Sequence, residues 1–197
     1  EATITTNNED ELGGGRWDHI GKSALLHLLC HMLSEPAFDQ LRTKEQLGYI
    51  VHTATVKFTD YIGMRVIVQS NSKGADYLDE RIESFLEGYK ETLNSISSED
   101  LASNIKAVKE SLTEKPKSLQ KETNHFWSEI NSGSYLFNRN IKEAKFLETV
   151  KLEDLVDFYD TFISPVSTKR VKFSSQFYGS DQEYPEVMPD GVRLIEN

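Results

Sequence analysis

Apolar positions recur at helical spacing through most of this chain. Leu25, Leu28, Leu29 and Met32 stand at i, i+3, i+4 and i+7, with Leu26 and Leu33 widening the stripe, and predict a helix from about Ile20 to Leu33. A second stripe runs Leu78, Ile82, Phe85, Leu86, Tyr89, Leu93. Ser97, with Asp100 three residues on, then opens a third helix through Leu101, Ile105, Val108 and Leu112. After Pro116, Leu119, Thr123, Phe126, Trp127 and Ile130 form another face, ended by the breaker Asn131-Ser132-Gly133-Ser134. Stripes over Ile141 to Val150 and Leu152 to Phe162 close the helical part at Ser164-Pro165.

Alternation of period two is rarer. Ala54, Val56 and Phe58 alternate with Thr53, Thr55 and Lys57, a β-rich run covers Arg65 to Gln69, and a hairpin turn falls near Thr59 to Tyr61. Val171, Phe173, Ser175 and Phe177 predict a further strand. An isolated hairpin is marginal in water, so the strands are expected in one sheet under the helices, an α+β order rather than βαβ alternation.

The ends carry little core material. Residues 1–16, with Asn, Asp, Glu and three consecutive glycines, are expected to form a flexible segment. Residues 179–197, with Pro185, Pro189 and several acids, are expected to form a tail. The compact unit is then 17–178, and a chain opening on Glu1 looks excised from something longer. At 197 residues one domain is the expectation.

Charge narrows the partners. Lys plus Arg number 22 against 32 Asp plus Glu, a formal charge of -10, and no basic concentration marks a phosphate-tracking surface, so nucleic acid is not expected. The longest apolar run, around Ala24, is broken by His27, far short of the ~20 residues of a membrane span. A single cysteine, Cys30, excludes an internal disulfide framework and suits a reducing, cytoplasmic setting.

Two stretches could carry chemistry. In His27-Leu28-Leu29-Cys30-His31 two imidazoles at i and i+4 share a helix side and could share a metal. They supply only half a tetrahedral site. Cys30 also stands where an H-x-x-E-H motif has its general base, and a thiol does not replace a carboxylate there. Two histidines on a polar helix side is the simpler reading, and a nucleophilic Cys30 lacks any readable oxyanion hole. The second stretch is Ser34-Glu35-Pro36-Ala37-Phe38-Asp39-Gln40-Leu41-Arg42-Thr43-Lys44-Glu45-Gln46-Leu47-Gly48-Tyr49-Ile50-Val51. By spacing alone, Arg42 pairs with Asp39 or Glu45, Tyr49 is a strand-edge aromatic, Phe38 is core, and Lys44, Glu45 and Gln46 are helix surface and cap.

The run Leu41-Arg42-Thr43-Lys44-Glu45-Gln46-Leu47-Gly48-Tyr49 closely resembles a segment of the insulin-degrading-enzyme (insulysin/pitrilysin) family of zinc metallopeptidases, in its non-catalytic C-terminal half. A fungal a-factor-processing type falls within that resemblance, which covers about Ala24 to Tyr178. It implies a mixed β-sheet with helices on one face, as the last of four homologous domains that form two bowls closing over a peptide chamber. It also implies that the N-terminal half carries the zinc. Arg42 and Tyr49 then contribute substrate and transition-state contacts, and Phe38 lines the substrate pocket. A guanidinium and a phenol suit that role, being donors able to hold a carbonyl oxygen that gains charge during amide hydrolysis.

No metal is expected in this chain itself. His27-Leu-Leu-Cys30-His31 falls where the related catalytic domain carries its zinc motif. Matching Ile105-Lys106-Ala107-Val108 to the family's distal helix puts Ser111, not the neighbouring Glu110, at the distal ligand position. The chain alone is therefore expected to be inactive. The alternative is an inactive peptide-binding or assembly module of the same fold. The partners implied are the N-terminal catalytic half of the same polypeptide and peptide substrates. Apolar surface left by a missing neighbour would make the isolated chain self-associate.

Overall fold

The computed structural model describes residues 18–57 and 61–179, with the backbone of residues 2–6. Its elements are β1 (Ala2–Thr6), α1 (His19–Ala37), a π-helix (Phe38–Lys44), β2 (Ile50–Lys57), β3 (Ile62–Gln69), α2 (Ala75–Asn94), α3 (Ser98–Thr113), α4 (Leu119–Asn131), α5 (Arg139–Leu147), α6 (Leu152–Phe162) and β4 (Val171–Ser174).

α1 is the central element. Asp18 caps it, accepting from the Gly21 N–H at 2.7 Å. Ala24, Leu25, Leu26, Leu28, Leu29 and Leu33 are all fully buried, so the helix is apolar nearly all round, as a helix enclosed by others must be. It runs past the predicted end at Leu33 and through Pro36, whose ring nitrogen cannot donate to the preceding turn. Beyond the proline the coil continues as the π-helix, closed by the Glu45 N–H on the Gln40 carbonyl at 3.0 Å.

The predicted α2, α3, α4 and α6 stand where the apolar stripes put them. Ser97 caps α3, its hydroxyl accepting from the Asp100 N–H at 3.0 Å. α4 ends at Asn131, and two residues on Gly133 takes a φ of 68°, the left-handed conformation glycine adopts readily. α5 starts two residues before, and ends three before, the predicted stripe of Ile141 to Val150. In the core, Phe158 and Tyr159 of α6 are fully buried, and Tyr159 meets α2, packing near Tyr89 and donating its hydroxyl to the Leu86 carbonyl.

The sheet has the order β2-β3-β1-β4. β2 and β3 form the predicted hairpin, with Ile50 opposite Gln69 and Lys57 opposite Ile62. Of its expected turn only Tyr61 lies within the described residues. Met64 and Val66 of β3 and Val51 of β2 face the helices. Two expectations need correction. Residues 2–6, expected to be part of a flexible segment, form β1, pairing with β3 and β4 at once. A central strand buries backbone groups that a tether leaves to water. The sheet is also not mixed, since each pairing is antiparallel among the described residues. The last strand is shorter than the predicted alternation and is fastened to α2 by Arg170 on Glu83 (2.5 and 2.7 Å) and Lys172 on Asp79 (2.6 Å). The tail expected over 179–197 lies, except for Gly179, outside the described residues.

α4 is attached differently from the other helices. Glu129 is its buried residue, and that carboxylate takes Arg139 Nε at 2.9 Å, Lys57 Nζ at 2.7 Å and the Leu136 N–H at 3.3 Å. Its apolar side chains point outward: Leu119, Phe126, Trp127 and Ile130 are exposed, as are Tyr135, Phe137 and Ile141 beside them. We expect the isolated chain to self-associate through this face. Light scattering across a concentration series checks it, and Trp127→Lys should shift the population toward monomer.

Candidate functional site

The π-helix and the turn after it are pinned at two leucines. Leu41 and Leu47 are both buried in the core, and the Leu47 N–H donates to the Leu41 carbonyl at 3.0 Å. Between them the chain passes through Gln46 at φ 52°, an uncommon conformation for a side-chain-bearing residue. It then passes Gly48, where a Cβ would lie 2.0 Å from the Gln69 carbonyl oxygen at the end of β3. Only glycine lets the chain enter β2 so close to its neighbour. Each pin holds a functional candidate, Arg42 directly after Leu41 and Tyr49 two residues after Leu47.

The structure brings all three sequence-derived candidates together. The Arg42 guanidinium carbon lies 4.8 Å from the centre of the Phe38 ring and 5.0 Å from that of Tyr49. Phe38 and Arg42 are a helical turn apart, and Tyr49 arrives from the sheet edge. Tyr49 is 82% exposed, Phe38 40%, and Arg42 is half-buried. The stack thus lies at the surface. Guanidinium groups are attracted to aromatic faces, an interaction of about 0.5–1 kcal/mol at exposed sites, and the rings leave the N–H groups free in the guanidinium plane.

The pairing that spacing suggests for Arg42 gives way, while Tyr49 does stand at the sheet edge as spacing alone places it. Asp39 pairs with Lys44 at 2.8 Å, and Glu45 is taken by Arg81 of α2 through Nε (2.7 Å) and Nη2 (2.9 Å), so neither acid neutralises Arg42. Glu45 also accepts from Gln40 Nε2 at 2.7 Å. The Arg81 hydrogen bonds hold the Glu45 carboxyl below the usual range, against a smaller opposing effect of burial. Glu45 is therefore a clamp rather than a helix-surface residue.

The histidine pair does not form a metal centre. His27 Nδ1 lies 2.8 Å from Glu143 Oε2, and Ser23 Oγ donates to Glu143 Oε1 at 2.6 Å, while His31 is exposed. Among the described residues no three His, Cys, Asp or Glu side chains gather so as to hold a metal ion. Cys30 is buried and its thiol is pushed far up by burial, which removes the thiolate a nucleophile or zinc ligand needs. Glu110 and Ser111 are both exposed on α3. The donor set does not fit zinc. Glu143, fully buried on α5, escaped the sequence reading. Its signal was its place on the buried face of that helix, four residues after Arg139 and four before Leu147.

The structure thus presents an α+β scaffold with Phe38, Arg42 and Tyr49 gathered at its surface and, among the described residues, no cluster of metal ligands. Comparison with known proteins gives the family. Residues 28–127, half of the chain, match the family model described as PQQ synthase PqqF-like, C-terminal lobe domain 4. The chain belongs to the insulin-degrading-enzyme (insulysin/pitrilysin) family of zinc metallopeptidases. It is 35% identical over 173 residues to a peroxisomal insulin-degrading enzyme-like 1 of Arabidopsis thaliana, covering 88% of this chain and 18% of the relative. Against the human insulin-degrading enzyme it is 36% identical over 153 residues, covering 78% and 15%. The crystal structure of pitrilysin superposes with a TM-score of 0.75 at 24% identity, over all of this chain and 20% of the other, a likeness of fold. The chain thus spans about a sixth of these curated relatives. No helix among the described residues is long and apolar enough to cross a membrane.

Proposed function

We propose that this chain is the non-catalytic C-terminal domain of a cytoplasmic zinc metalloendopeptidase, completing a peptide chamber whose metal sits in the N-terminal half of the same polypeptide. The observation that carries this reading is the stack of Arg42 between Phe38 and Tyr49, with the guanidinium unpaired by any carboxylate among the described residues. A cation left without a counter-charge and stacked on two rings is ready for a substrate carbonyl. During amide hydrolysis that oxygen gains charge, and the Arg42 N–H groups and the Tyr49 hydroxyl, both donors, strengthen their hold as it does. Phe38 supplies the apolar wall against which a peptide side chain packs.

The domain does not generate the nucleophile. With Cys30 at the base position and His27 engaged by Glu143, water activation belongs to the other half of the enzyme. Peptide hydrolysis by the zinc-bearing half alone, with and without this chain added in trans, tests the division of labour. The half alone is expected to be deficient, this chain silent with or without zinc, and the mixture more active than either. A zinc-bearing half at full activity without this chain would leave only the alternative, a peptide-binding or assembly module. Hydrolysis by this chain alone would overturn the reading of Cys30 and His27.

A further inference from the structure

The π-helix that presents Phe38 and Arg42 is seven residues long, and π-helical stretches are mostly single turns because their wide coil packs poorly along its axis. Something outside the segment must hold it, and the charged contacts around Glu45 lie where such a hold is needed. Glu45 closes the π-helix through its N–H on Gln40, and its carboxylate is gripped by Gln40 and by the two-pronged fork of Arg81. A fork on a carboxylate fixes orientation as well as distance. Arg42 lies between Gln40 and Glu45, so the clamp brackets its backbone on both sides and ties it to α2. The aromatic stack alone is a weaker constraint, since a cation over a ring slides at little cost.

We infer that Arg81 is a positioning residue for substrate turnover, acting through Glu45 on the placement of the Arg42 guanidinium. This rests on the function proposed above for Arg42. The geometry asks little of Arg81 for the fold itself, because it and Glu45 are partly exposed and such pairs contribute little to stability. Its effect falls on where Arg42 points, and misplacement near 1 Å is enough to slow a reaction that depends on preorganised donors.

The test uses the full-length peptidase carrying Arg81→Ala, Arg81→Lys or Glu45→Gln, each also combined with Arg42→Ala. Arg81→Ala is expected to lower kcat/KM about fivefold or more, chiefly in kcat, with thermal unfolding little changed. Arg81→Lys should restore less than half of the loss, because an ammonium cannot reproduce the fork, and Glu45→Gln should fall in between. In the Arg42→Ala background the Arg81 substitution should have no further effect, the sign of action through Arg42. Wild-type turnover in Arg81→Ala beside an impaired Arg42→Ala enzyme would overturn the clamp and leave the proposed function standing. An equal loss in both backgrounds would also overturn it. Wild-type turnover in Arg42→Ala would overturn both.

Discussion

Gly48→Ala is expected to destabilise the domain by about 3 kcal/mol or more, a fall in melting temperature of roughly 6–12 °C for a chain of this size. The added methyl would sit 2.0 Å from the Gln69 carbonyl oxygen and 2.7 Å from its carbon. Both are backbone atoms of β3, so no side chain can swing aside and the entry of β2 must shift. Moving that entry displaces Tyr49, the next residue, from the ring contact with Arg42. The variant should therefore lose function in the full-length enzyme beyond what its reduced stability explains. Differential scanning calorimetry of the isolated chain checks the first effect, and a melting temperature within about 2 °C of wild type, under 1 kcal/mol, would contradict it.

Acid is expected to release α4. Burial opposes the charge on Glu129, but hydrogen bonds from Arg139 and Lys57 more than offset that and hold its carboxyl at about 2, against an ordinary value of 4.5. A carboxylate with a depressed folded-state value binds its proton more readily in the unfolded chain, so stability rises with pH across the interval between the two values. The contribution is complete above about pH 4.5, on the order of 3 kcal/mol, and is lost as pH falls toward 2. Because Glu129 is the buried residue of α4, the loss should concentrate there and expose α4 amides to hydrogen exchange before those of α1. Glu129→Gln should produce the same loosening at pH 7 and flatten the acid dependence. Equal protection of α4 at pH 7 and pH 3 would contradict this account.

Most of the fold was legible because the helices carry one apolar stripe each, and a stripe survives in the sequence whatever it packs against. α2, α3 and α6, which bury theirs, and α4, whose stripe faces outward, could be placed for that reason. α1 was harder to bound: it is apolar on nearly every side, so periodicity does not mark its end, and Pro36 looked like a stop where the structure widens into a π-helix. β1 carries its own β-branched signal in Thr3, Ile4, Thr5 and Thr6, but the Asn, Asp, Glu and Gly that follow hid it. Misplacing that strand also hid the antiparallel character of the sheet, which β1 completes by lying between β3 and β4.

At the site, the resemblance supplied Phe38, Arg42 and Tyr49, and the structure brought them within contact of one another. Spacing alone would have matched Arg42 with Asp39 or Glu45, and it failed because those acids have partners elsewhere, Lys44 five residues along and Arg81 on another helix. Arg81 was invisible for the same reason: a long-range ion pair leaves no local pattern, and Glu143 had only its place on the buried face of α5 to mark it. Glu143 in particular looks like one more acid in a helix until α5 is laid against α1, where it takes up His27 and Ser23.

The central claim is that Arg42 and Tyr49 act on the substrate of a zinc site held elsewhere in the polypeptide. Its most direct test is kcat/KM for peptide hydrolysis by the full-length protein with zinc, comparing wild type, Arg42→Ala and Tyr49→Phe. A fall of about tenfold or more in each variant, roughly 1.4 kcal/mol of lost transition-state stabilisation, with zinc content unchanged, is the predicted result. Wild-type kcat/KM in both variants would contradict it and reduce this domain to a wall of the chamber.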